Sequence, residues 1–340
     1  MRNDETKRNL LASGNPIPPN WDLLKGVELG SGERWTTEES VTSRYDGIQK
    51  YLRYVKYFAY PASLILRRGK FEKILTKDQF HGLMFAEYAR ILRLRKPPRT
   101  YAATFIYKPK KGLVGKVYER FVRNALSSPA LRKVFVFGKE ETREYERTFP
   151  EGAGKFVSET LGIKDVAERF RKEETDSNLF VACGRSNRDY GFLKDVWDGK
   201  RRLVVVCDVD AGELPDGAEL LRNCKGDDFL ELLSMATASL IPLDDERISS
   251  GQLVALQSAM LGIPVIATRN SAISEYVEDG KTGYVVEKTP EAFEKALSLV
   301  ENPKIRTELS RNARRTFEER FSLLEMGRRI GAKIAEDSGS

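Results

Sequence analysis

The chain has 340 residues, enough for two domains of ordinary size, and its 41% hydrophobic residues can fill a core in each. Its apolar runs are shorter than the roughly 20 residues that a membrane-spanning helix needs, and the charged residues 2–8 contain no apolar core of a secretion signal. Three cysteines at spacings unlike those of metal ligands predict reduced thiols in a cytoplasmic protein.

The net charge of +7 is concentrated in one part of the sequence. Residues 44–125 contain 20 Lys and Arg against 5 Asp and Glu. Such an excess attracts phosphates, an anionic membrane surface or nucleic acid. A solvated basic surface, balanced by the more acidic C-terminal half, is the alternative. No helix-turn-helix, RRM or KH signature accompanies the charge, so we expect no nucleic acid partner.

Strand and helix patterns alternate along the first half. Residues 1–20 contain several prolines and little periodicity, which predicts a loose leader. An aromatic-rich stretch over 41–66 has helical spacing interrupted at Pro61. The alternation that follows predicts a Rossmann-like domain over 21–165. Its strands are expected at 71–75, 99–106 and 133–137, and its helices at 82–94, 114–124 and 140–148.

The second half shows the same alternation more clearly. The charged residues 166–177 predict a linker, followed by a second Rossmann-like domain over 178–319 and a helix over 320–336. Because single helices separate the strands, we predict right-handed crossovers and a parallel sheet, and therefore an α/β fold class for the whole chain. Strands are expected at 179–183, 203–207, 239–242, 265–268 and 283–286, and helices at 190–197, 228–236 and 252–261.

The most informative segment is SSGQLVALQSAMLGIPVIAT, residues 249–268. A polar turn opens an apolar helix, LGIP ends it, and VIAT predicts a buried parallel strand. The first-turn amides of such a helix have no intrahelical acceptor, and the helix dipole adds partial positive charge. Small residues in the turn allow a phosphate to approach those amides closely. At the carboxyl edge of a parallel sheet, this predicts a nucleotide-binding corner.

The ordered motifs of this half resemble the donor half of group 1, family-4-like glycosyltransferases with the GT-B fold. They are CGRSNRDY at 183–190, SSGQLVALQ at 249–257, LGIPVIAT at 261–268 and ISEYVEDGKTGYVV at 273–286. In the first half, QFHG at 79–82 and FIYKPKKG at 105–112 resemble the acceptor half of short bacterial-type members.

The resemblance implies two facing Rossmann-like domains with the site between them, and a last helix that returns to the first domain. It also implies transfer of a sugar from a nucleoside-diphosphate sugar to a glycan or lipid-linked acceptor, with retention of anomeric configuration. No metal or other cofactor is expected, since basic side chains and helix dipoles neutralise the leaving diphosphate in this family.

The resemblance assigns two arginines to the donor diphosphate. Arg185 follows Gly184 at the end of a predicted strand, where the family has an arginine, and Arg188 could replace a family lysine a few residues on. A guanidinium donates two parallel hydrogen bonds to phosphate, and fixed cations stabilise the charge that develops on a leaving diphosphate. A surface ion pair of Arg185 with Asp189 or Asp210 is the alternative.

The turn before the predicted helix supplies further donor-binding candidates. Ser250, Gly251, Gln252 and Leu253 would offer backbone amides and a hydroxyl to the diphosphate or the transferred sugar. Ordinary N-capping by Ser249 or Ser250 is the alternative, and a capped helix start can still bind an anion.

The sequence departs from the family's pair of glutamates separated by seven residues. Ser249 occupies the first position and Gln257 the second. An amide oxygen can still accept a hydrogen bond from the donor ribose, but more weakly than a carboxylate. Glu246 or Asp244 could reach in from the preceding loop. The departure weakens the inference of donor type and, to a lesser extent, of activity.

The first half contains two further candidates. His81, the single histidine, is predicted at a strand-to-helix turn, where it could contact the transferred sugar or assist proton transfer. A structural or surface histidine is the alternative. Lys108, Lys110 and Lys111 precede Gly112 in a predicted exposed loop, which could recruit anionic lipid or a phosphate-bearing acceptor, or be simply solvated.

Three functions follow from these observations. We predict first a cytoplasmic glycosyltransferase of glycan or glycolipid assembly, peripheral at the inner membrane face through residues 44–125. The second is a GT-B-fold protein that binds a nucleotide sugar without turnover, suggested by Ser249 and Gln257. The third is a nucleic-acid-binding protein, suggested by the basic first half alone.

Overall fold

The computed structural model describes residues 7–40, 50–170 and 178–338, with the backbone alone for 50–53. The chain divides into two compact units: unit 1 contains residues 1–160 and 324–340, and unit 2 contains residues 161–323. Each unit has one parallel six-stranded sheet flanked by helices, which confirms the predicted fold class. The aromatic-rich residues 41–49 and the linker residues 171–177 lie outside the description. Within it, no helix is long and apolar enough to cross a bilayer.

Unit 1 has the strand order β2-β1-β3-β4-β5-β6. Its strands are β1 (Arg8–Ser13), β2 (Trp35–Glu39), β3 (Phe71–Thr76), β4 (Arg99–Ala102), β5 (Leu131–Val136) and β6 (Phe156–Ser158). Its helices are α1 (Asp22–Ser31), α2 (Lys50–Leu66), α3 (Gln79–Ile91), α4 (Gly112–Ser127), α5 (Lys139–Thr148) and, from the end of the chain, α10 (Leu323–Ser338). Pro61 lies inside α2, so the predicted interruption there is wrong.

The prediction of a loose leader is also wrong. β1 lies inside the sheet between β2 and β3, and its residues Leu10, Leu11 and Ala12 are fully buried. A strand buried on both faces has a continuous apolar run instead of an alternating one. In a run as short as RNLLAS, beside a turn rich in proline, that pattern is too weak to stand out.

α10 packs against α1 through glycines on both helices. A Cβ atom on Gly327 would lie 2.6 Å from the backbone oxygen of Leu23 and 3.0 Å from the Cα atom of Gly26. The far end of α10 is held by Asp337, whose Oδ2 accepts from the Tyr101 hydroxyl at 2.8 Å and from Arg132 Nε at 3.1 Å. The last helix is therefore an integral part of unit 1.

Unit 2 has the strand order β12-β11-β10-β7-β8-β9. Its strands are β7 (Leu179–Cys183), β8 (Arg202–Val206), β9 (Glu219–Leu221), β10 (Ala238–Ile241), β11 (Val265–Thr268) and β12 (Gly283–Val286). Its helices are α6 (Asp227–Ser234), α7 (Gln252–Leu261), α8 (Pro290–Glu301) and α9 (Pro303–Thr316). The segment predicted as a helix over 190–197 forms a short 3-10 helix, Gly191–Asp195.

The boundary between the units differs from the predicted linker. The division falls between Thr160 and Leu161. The start of the predicted linker forms a 3-10 helix, Ala167–Phe170, whose Phe170 is buried in the core of unit 2 with Val166 packed beside it. Charged neighbours concealed these apolar positions in the sequence, and their burial holds the segment to unit 2.

Each sheet has one point at which the strand order reverses. This switch point lies between β1 and β3 in unit 1 and between β7 and β10 in unit 2. Open α/β sheets bind ligands in the crevice at the carboxyl ends of the strands beside such a point. The loops after β7 and β10 are therefore the first place to look for a site in unit 2.

Candidate functional site

The loop after β7 is bonded to the loop after β10. Gly184 has a φ of 133°, a backbone conformation that favours glycine, and its carbonyl accepts from the Tyr190 hydroxyl at 2.6 Å. Asn187 joins the two loops: its Nδ2 donates to the Asp245 carbonyl at 2.9 Å, and its Oδ1 accepts from the Asp245 amide at 2.7 Å. The two loops at the switch point of unit 2 are therefore held together by hydrogen bonds.

The two arginines of this loop have different surroundings. Arg185 is exposed, and its side chain makes no hydrogen bond or ion pair with another residue in the described ranges. Arg188 folds back, donating from Nε to the Cys183 carbonyl at 3.0 Å and from Nη1 to the Ser186 carbonyl at 2.9 Å. A Cβ atom on Gly184 would lie 2.7 Å from its Cζ atom.

These contacts favour a structural role for Arg188. Burial lowers the pKa of its guanidinium, and backbone carbonyls already accept from its Nε and Nη1 atoms. Arg188 therefore supports the loop in this structure, which does not fit the predicted replacement of a phosphate-binding lysine. Arg185 is the cation of this loop that remains available to an anion.

α7 begins at this edge without a side-chain cap. Its N-cap residue is Gly251, with a φ of 91°, and a Cβ atom there would lie 3.1 Å from Cγ2 of Ile241. Among the described residues, no side chain accepts from the first-turn amides, including those of Gln252 and Leu253. Since these amides lie at the positive end of the helix dipole, they can bind a phosphate or a sugar hydroxyl.

The serines before α7 bond within the loop instead of capping the helix. Ser249 Oγ accepts from Gln252 Nε2 at 2.5 Å. Ser250 Oγ accepts from Asn187 Nδ2 at 2.9 Å and donates to the Ile248 carbonyl at 3.3 Å. The alternative of serine N-capping is wrong, because Gly251 in its left-handed turn occupies the cap position.

The remaining donor candidates lie along the same loop and helix. Gln257 is half-buried on α7, and its amide makes no hydrogen bond to another described residue. The side chain of Glu246 is exposed, while its carbonyl accepts from the Ser271 amide at 2.7 Å. Leu253 is exposed on the first turn of α7. The side-chain polar groups of Gln257 and Glu246 thus have no hydrogen-bond partner among the described residues.

Sequence reasoning missed two residues that complete this edge. Lys288, after β12, donates from Nζ to Asp189 Oδ2 at 2.7 Å and lies 3.4 Å from Asp244 Oδ1. Burial opposes ionisation of Asp189, but the hydrogen bond from Lys288 holds the pKa of its carboxyl below the usual range. Asn270 donates from Nδ2 to the Ile248 carbonyl at 2.9 Å. Both residues are distant in sequence from the loops that they fix.

The switch point of unit 1 is also cross-linked. Asp78 Oδ2 accepts from the Gly14 amide at 2.5 Å, which joins the loop after β1 to the start of α3. Gln79 exchanges two hydrogen bonds with the backbone of Ile106, in the loop after β4. Asp78 is thus engaged in holding the loops together.

His81 is fully buried on α3 and does not stand at the tip of a turn. The ring centroids of Tyr57 and Tyr60 lie 5.8 and 5.1 Å from its own. Neither ring nitrogen has a hydrogen-bond partner among the described residues, and burial lowers its pKa. An imidazole enclosed in this way does not reach a substrate in this conformation. The structure therefore favours the structural alternative over sugar contact.

The cysteines are free thiols, as the sequence predicts. Burial raises the pKa of Cys183, at the end of β7, to about 11. A thiol with that pKa is protonated near neutral pH, so it does not serve as a thiolate nucleophile. In the part of the chain described, no group of three or more His, Cys, Asp or Glu could hold a metal ion.

Solved structures share this fold over almost the whole chain. The structure of Alr3699/HepE from Anabaena in complex with UDP gives a TM-score of 0.66 at 13% identity, covering 97% of this chain and 100% of that one. A glycosyltransferase from Rickettsia africae gives a TM-score of 0.61 at 12% identity, covering 98% of both chains. The fold of this protein is thus the GT-B fold.

The family follows from the sequence of unit 2. Residues 157–316 match the model of the family described as glycosyl transferases group 1. N-acetyl-alpha-D-glucosaminyl L-malate synthase of Bacillus anthracis is 33% identical over 186 residues, which cover 49% of this chain and 48% of that protein. The match thus spans about half the length of that relative. The family match lies almost entirely in unit 2, which therefore contains a domain of the group 1 glycosyltransferase type.

A second relative matches over a shorter range. D-inositol 3-phosphate glycosyltransferase of Acidothermus cellulolyticus is 33% identical over 88 residues, 26% of this chain and 19% of that protein.

Proposed function

We propose that the protein transfers a sugar from a nucleoside-diphosphate sugar to a glycan or lipid-linked acceptor. The observation that supports this most directly is the pairing of two anion-binding features at one sheet edge. Arg185 is exposed without a described partner in the loop after β7, and the uncapped start of α7 follows the loop after β10. Asn187 bonds these two loops together.

The chemistry expected of this edge is stabilisation of a leaving diphosphate. The bond from the sugar's anomeric carbon to the diphosphate oxygen breaks, and a bond to the acceptor oxygen forms on the same face. The acceptor's proton passes to the departing diphosphate, so no protein base is needed. Arg185 and the amides of Gln252 and Leu253 would stabilise the charge that develops on that diphosphate. We further propose that no metal takes part.

A uridine nucleotide is the first donor to test. The solved structures of Alr3699/HepE contain UDP and, in one case, UDP-glucose. Gln257 would accept a hydrogen bond from the donor ribose, while Glu246 or Ser249 would contact the sugar. We propose a cytoplasmic location, consistent with the three unpaired thiols.

The test is binding of UDP, GDP, ADP, CMP and their sugars, measured by thermal shift and calorimetry, on the wild-type protein and on Arg185→Ala. A ligand at about 100 times its Kd stabilises the folded state by roughly 2.7 kcal/mol. A charge-assisted hydrogen bond contributes about 1.5–3 kcal/mol, so we expect Arg185→Ala to weaken nucleotide binding about tenfold or more.

Arg311→Ala is the matched control. Arg311 is also an exposed arginine of unit 2, but it lies on α9. The proposal fails if no nucleotide binds, or if Arg185→Ala and Arg311→Ala bind the nucleotide equally well.

The second candidate is a nucleotide-sugar-binding protein without turnover. Ser249 supports it, because this residue stands where the family's first glutamate is expected and its Oγ atom is engaged by Gln252. Donor hydrolysis or sugar transfer that Arg185→Ala abolishes would exclude this candidate. Tight nucleotide binding with neither reaction would establish it.

A further inference from the structure

The start of α4 presents aliphatic side chains to solvent. Leu113, Val114 and Val117 are 78%, 66% and 62% exposed, and Ile106 in the preceding loop is 53% exposed. Positions three and four apart on a helix are neighbours, so Leu113 and Val117 lie one above the other with Val114 beside them. The opposite side of the helix is buried in the core of unit 1 through Val122, Ala125 and Leu126.

Basic residues surround this stripe. Lys108, Lys110 and Lys111 precede the helix, and Lys116 and Arg120 lie on its exposed side. Within the described ranges, no ion pair joins any of these five residues to a carboxylate, and Lys110 Nζ lies 4.9 Å from the ring centroid of Tyr118. A helix with an aliphatic stripe beside basic residues is suited to lie in the interface of an anionic membrane.

α2 also exposes apolar side chains, and it lies in the same layer of helices as α4. The ring of Tyr57 stacks on Phe80 at 5.3 Å, and that of Phe80 stacks on Tyr118 at 6.3 Å, which links α2, α3 and α4 in one layer. Since α2 and α4 lie in the same layer, their outward faces point to the same side of unit 1. On α2, Val55 and Phe58 are both more than half exposed.

We propose that this surface, formed by Ile106, Leu113, Val114 and Val117 with the five basic residues around them, docks unit 1 on an anionic lipid bilayer. Charge complementarity selects this partner, because the aliphatic side chains can enter the acyl boundary while the lysines and the arginine meet anionic headgroups. α4 starts near the carboxyl edge of its sheet, so docking brings that edge to the membrane. The placement of this edge at the membrane would explain a lipid-linked acceptor and therefore rests on the proposed function. The docking of unit 1 on the bilayer does not rest on it.

The test is co-sedimentation of the full chain with vesicles of phosphatidylcholine, with and without phosphatidylglycerol, at low and physiological salt. We expect binding to the anionic vesicles alone, weakened by salt. The double variant Leu113→Ser, Val117→Ser should lose tenfold or more in the vesicle partition coefficient. Lys108→Gln with Lys111→Gln should lose about fivefold for each charge removed.

Leu29→Ser is the matched control. Leu29 is 68% exposed, but it lies on α1, the helix that packs against α10. The Leu29→Ser variant should bind vesicles as the wild type does. Thermal melting followed by far-UV circular dichroism should show that all variants remain folded. Nucleotide binding by unit 2 should be unchanged in the Leu113/Val117 variant, which separates a failure of docking from a failure of the proposed function.

Three results would overturn the inference. They are an absence of vesicle binding by the wild type, equal binding to neutral vesicles, and binding unchanged by the Leu113/Val117 substitutions. Binding of a mixed oligonucleotide in place of vesicles would assign the basic residues to nucleic acid. A dimer in solution that the same substitutions dissociate would assign the stripe to a second copy of the chain.

Discussion

Gly327→Ala tests whether α10 is held to α1 by backbone proximity. The new Cβ atom would meet the Leu23 carbonyl oxygen at 2.6 Å, whereas ordinary contact begins near 3.4 Å. The helices must therefore separate by about 0.8 Å, because the atom in the way belongs to the backbone and cannot rotate aside. Overpacking of this kind costs about 1–3 kcal/mol.

The helical preference of alanine opposes this cost. Alanine is favoured over glycine inside a helix by up to about 1 kcal/mol. Separation of the helices also strains the bonds of Asp337 to Tyr101 and Arg132. We therefore expect a net loss of about 1–2 kcal/mol in the free energy of unfolding of unit 1.

Tryptophan fluorescence during urea unfolding can measure this loss. In a Trp197→Phe background, the remaining tryptophans, Trp21 and Trp35, are both buried in unit 1, so the emission reports on that unit alone. Gly69→Ala is the control, since a Cβ atom there meets nothing within 4 Å and the residue has no positive φ. An unfolding midpoint for Gly327→Ala equal to or above that of Gly69→Ala would refute the reasoning.

Three further predictions concern titratable and charged side chains. Burial lowers the pKa of His81, so the unfolded state binds a proton on this residue more readily than the folded state does. The free energy of unfolding should therefore fall as the pH drops below the ordinary histidine pKa of about 6.5. In urea unfolding midpoints, His81→Phe should remove this pH dependence, and an unchanged profile would contradict the prediction. Burial opposes ionisation of Asp165, but the hydrogen bonds from Arg314 lower the pKa of its carboxyl. The stability that this ion pair contributes is present above the ordinary aspartate pKa of about 3.9 and is lost below it. Arg314→Ala should therefore reduce the fall of the urea midpoint at acid pH. Arg201→Ala should lower the free energy of unfolding by about 1–3 kcal/mol, because the buried guanidinium pairs with two glutamates of α8. The control is Arg202→Ala, which removes an exposed ion pair and should cost under about 1 kcal/mol. Equal losses from the two variants would disprove the prediction.

The sequence predicted unit 2 better than unit 1. The bounds of α7, 252–261, agree with the structure, because an apolar helix between two glycine-containing turns has clear ends. All five predicted strands of unit 2 overlap observed strands within about one residue, namely β7, β8, β10, β11 and β12, since strands inside a parallel sheet have nearly continuous apolar runs. In unit 1, β1, α1 and β2 were missed, because their short apolar runs lie among prolines, glycines and charges.

The candidate site was predicted as a set of residues but not as a geometry. The family resemblance indicated Arg185 and Arg188, and the small residues before an apolar helix indicated the turn at Gly251. It could not distinguish the exposed guanidinium of Arg185 from that of Arg188, which folds onto its own loop. That difference depends on which backbone carbonyls are within reach after folding.

The sequence by itself determined the α/β alternation, the family of unit 2 and the position of its glycine-containing helix start. These are local features, since periodicity and turn residues act over a few neighbours. Tertiary structure alone decided that His81 is enclosed by tyrosines, that Lys288 pairs with Asp189, and that α10 packs on the glycines of α1. Each depends on contact between residues far apart in the chain, and only the packing of the folded units brings them together.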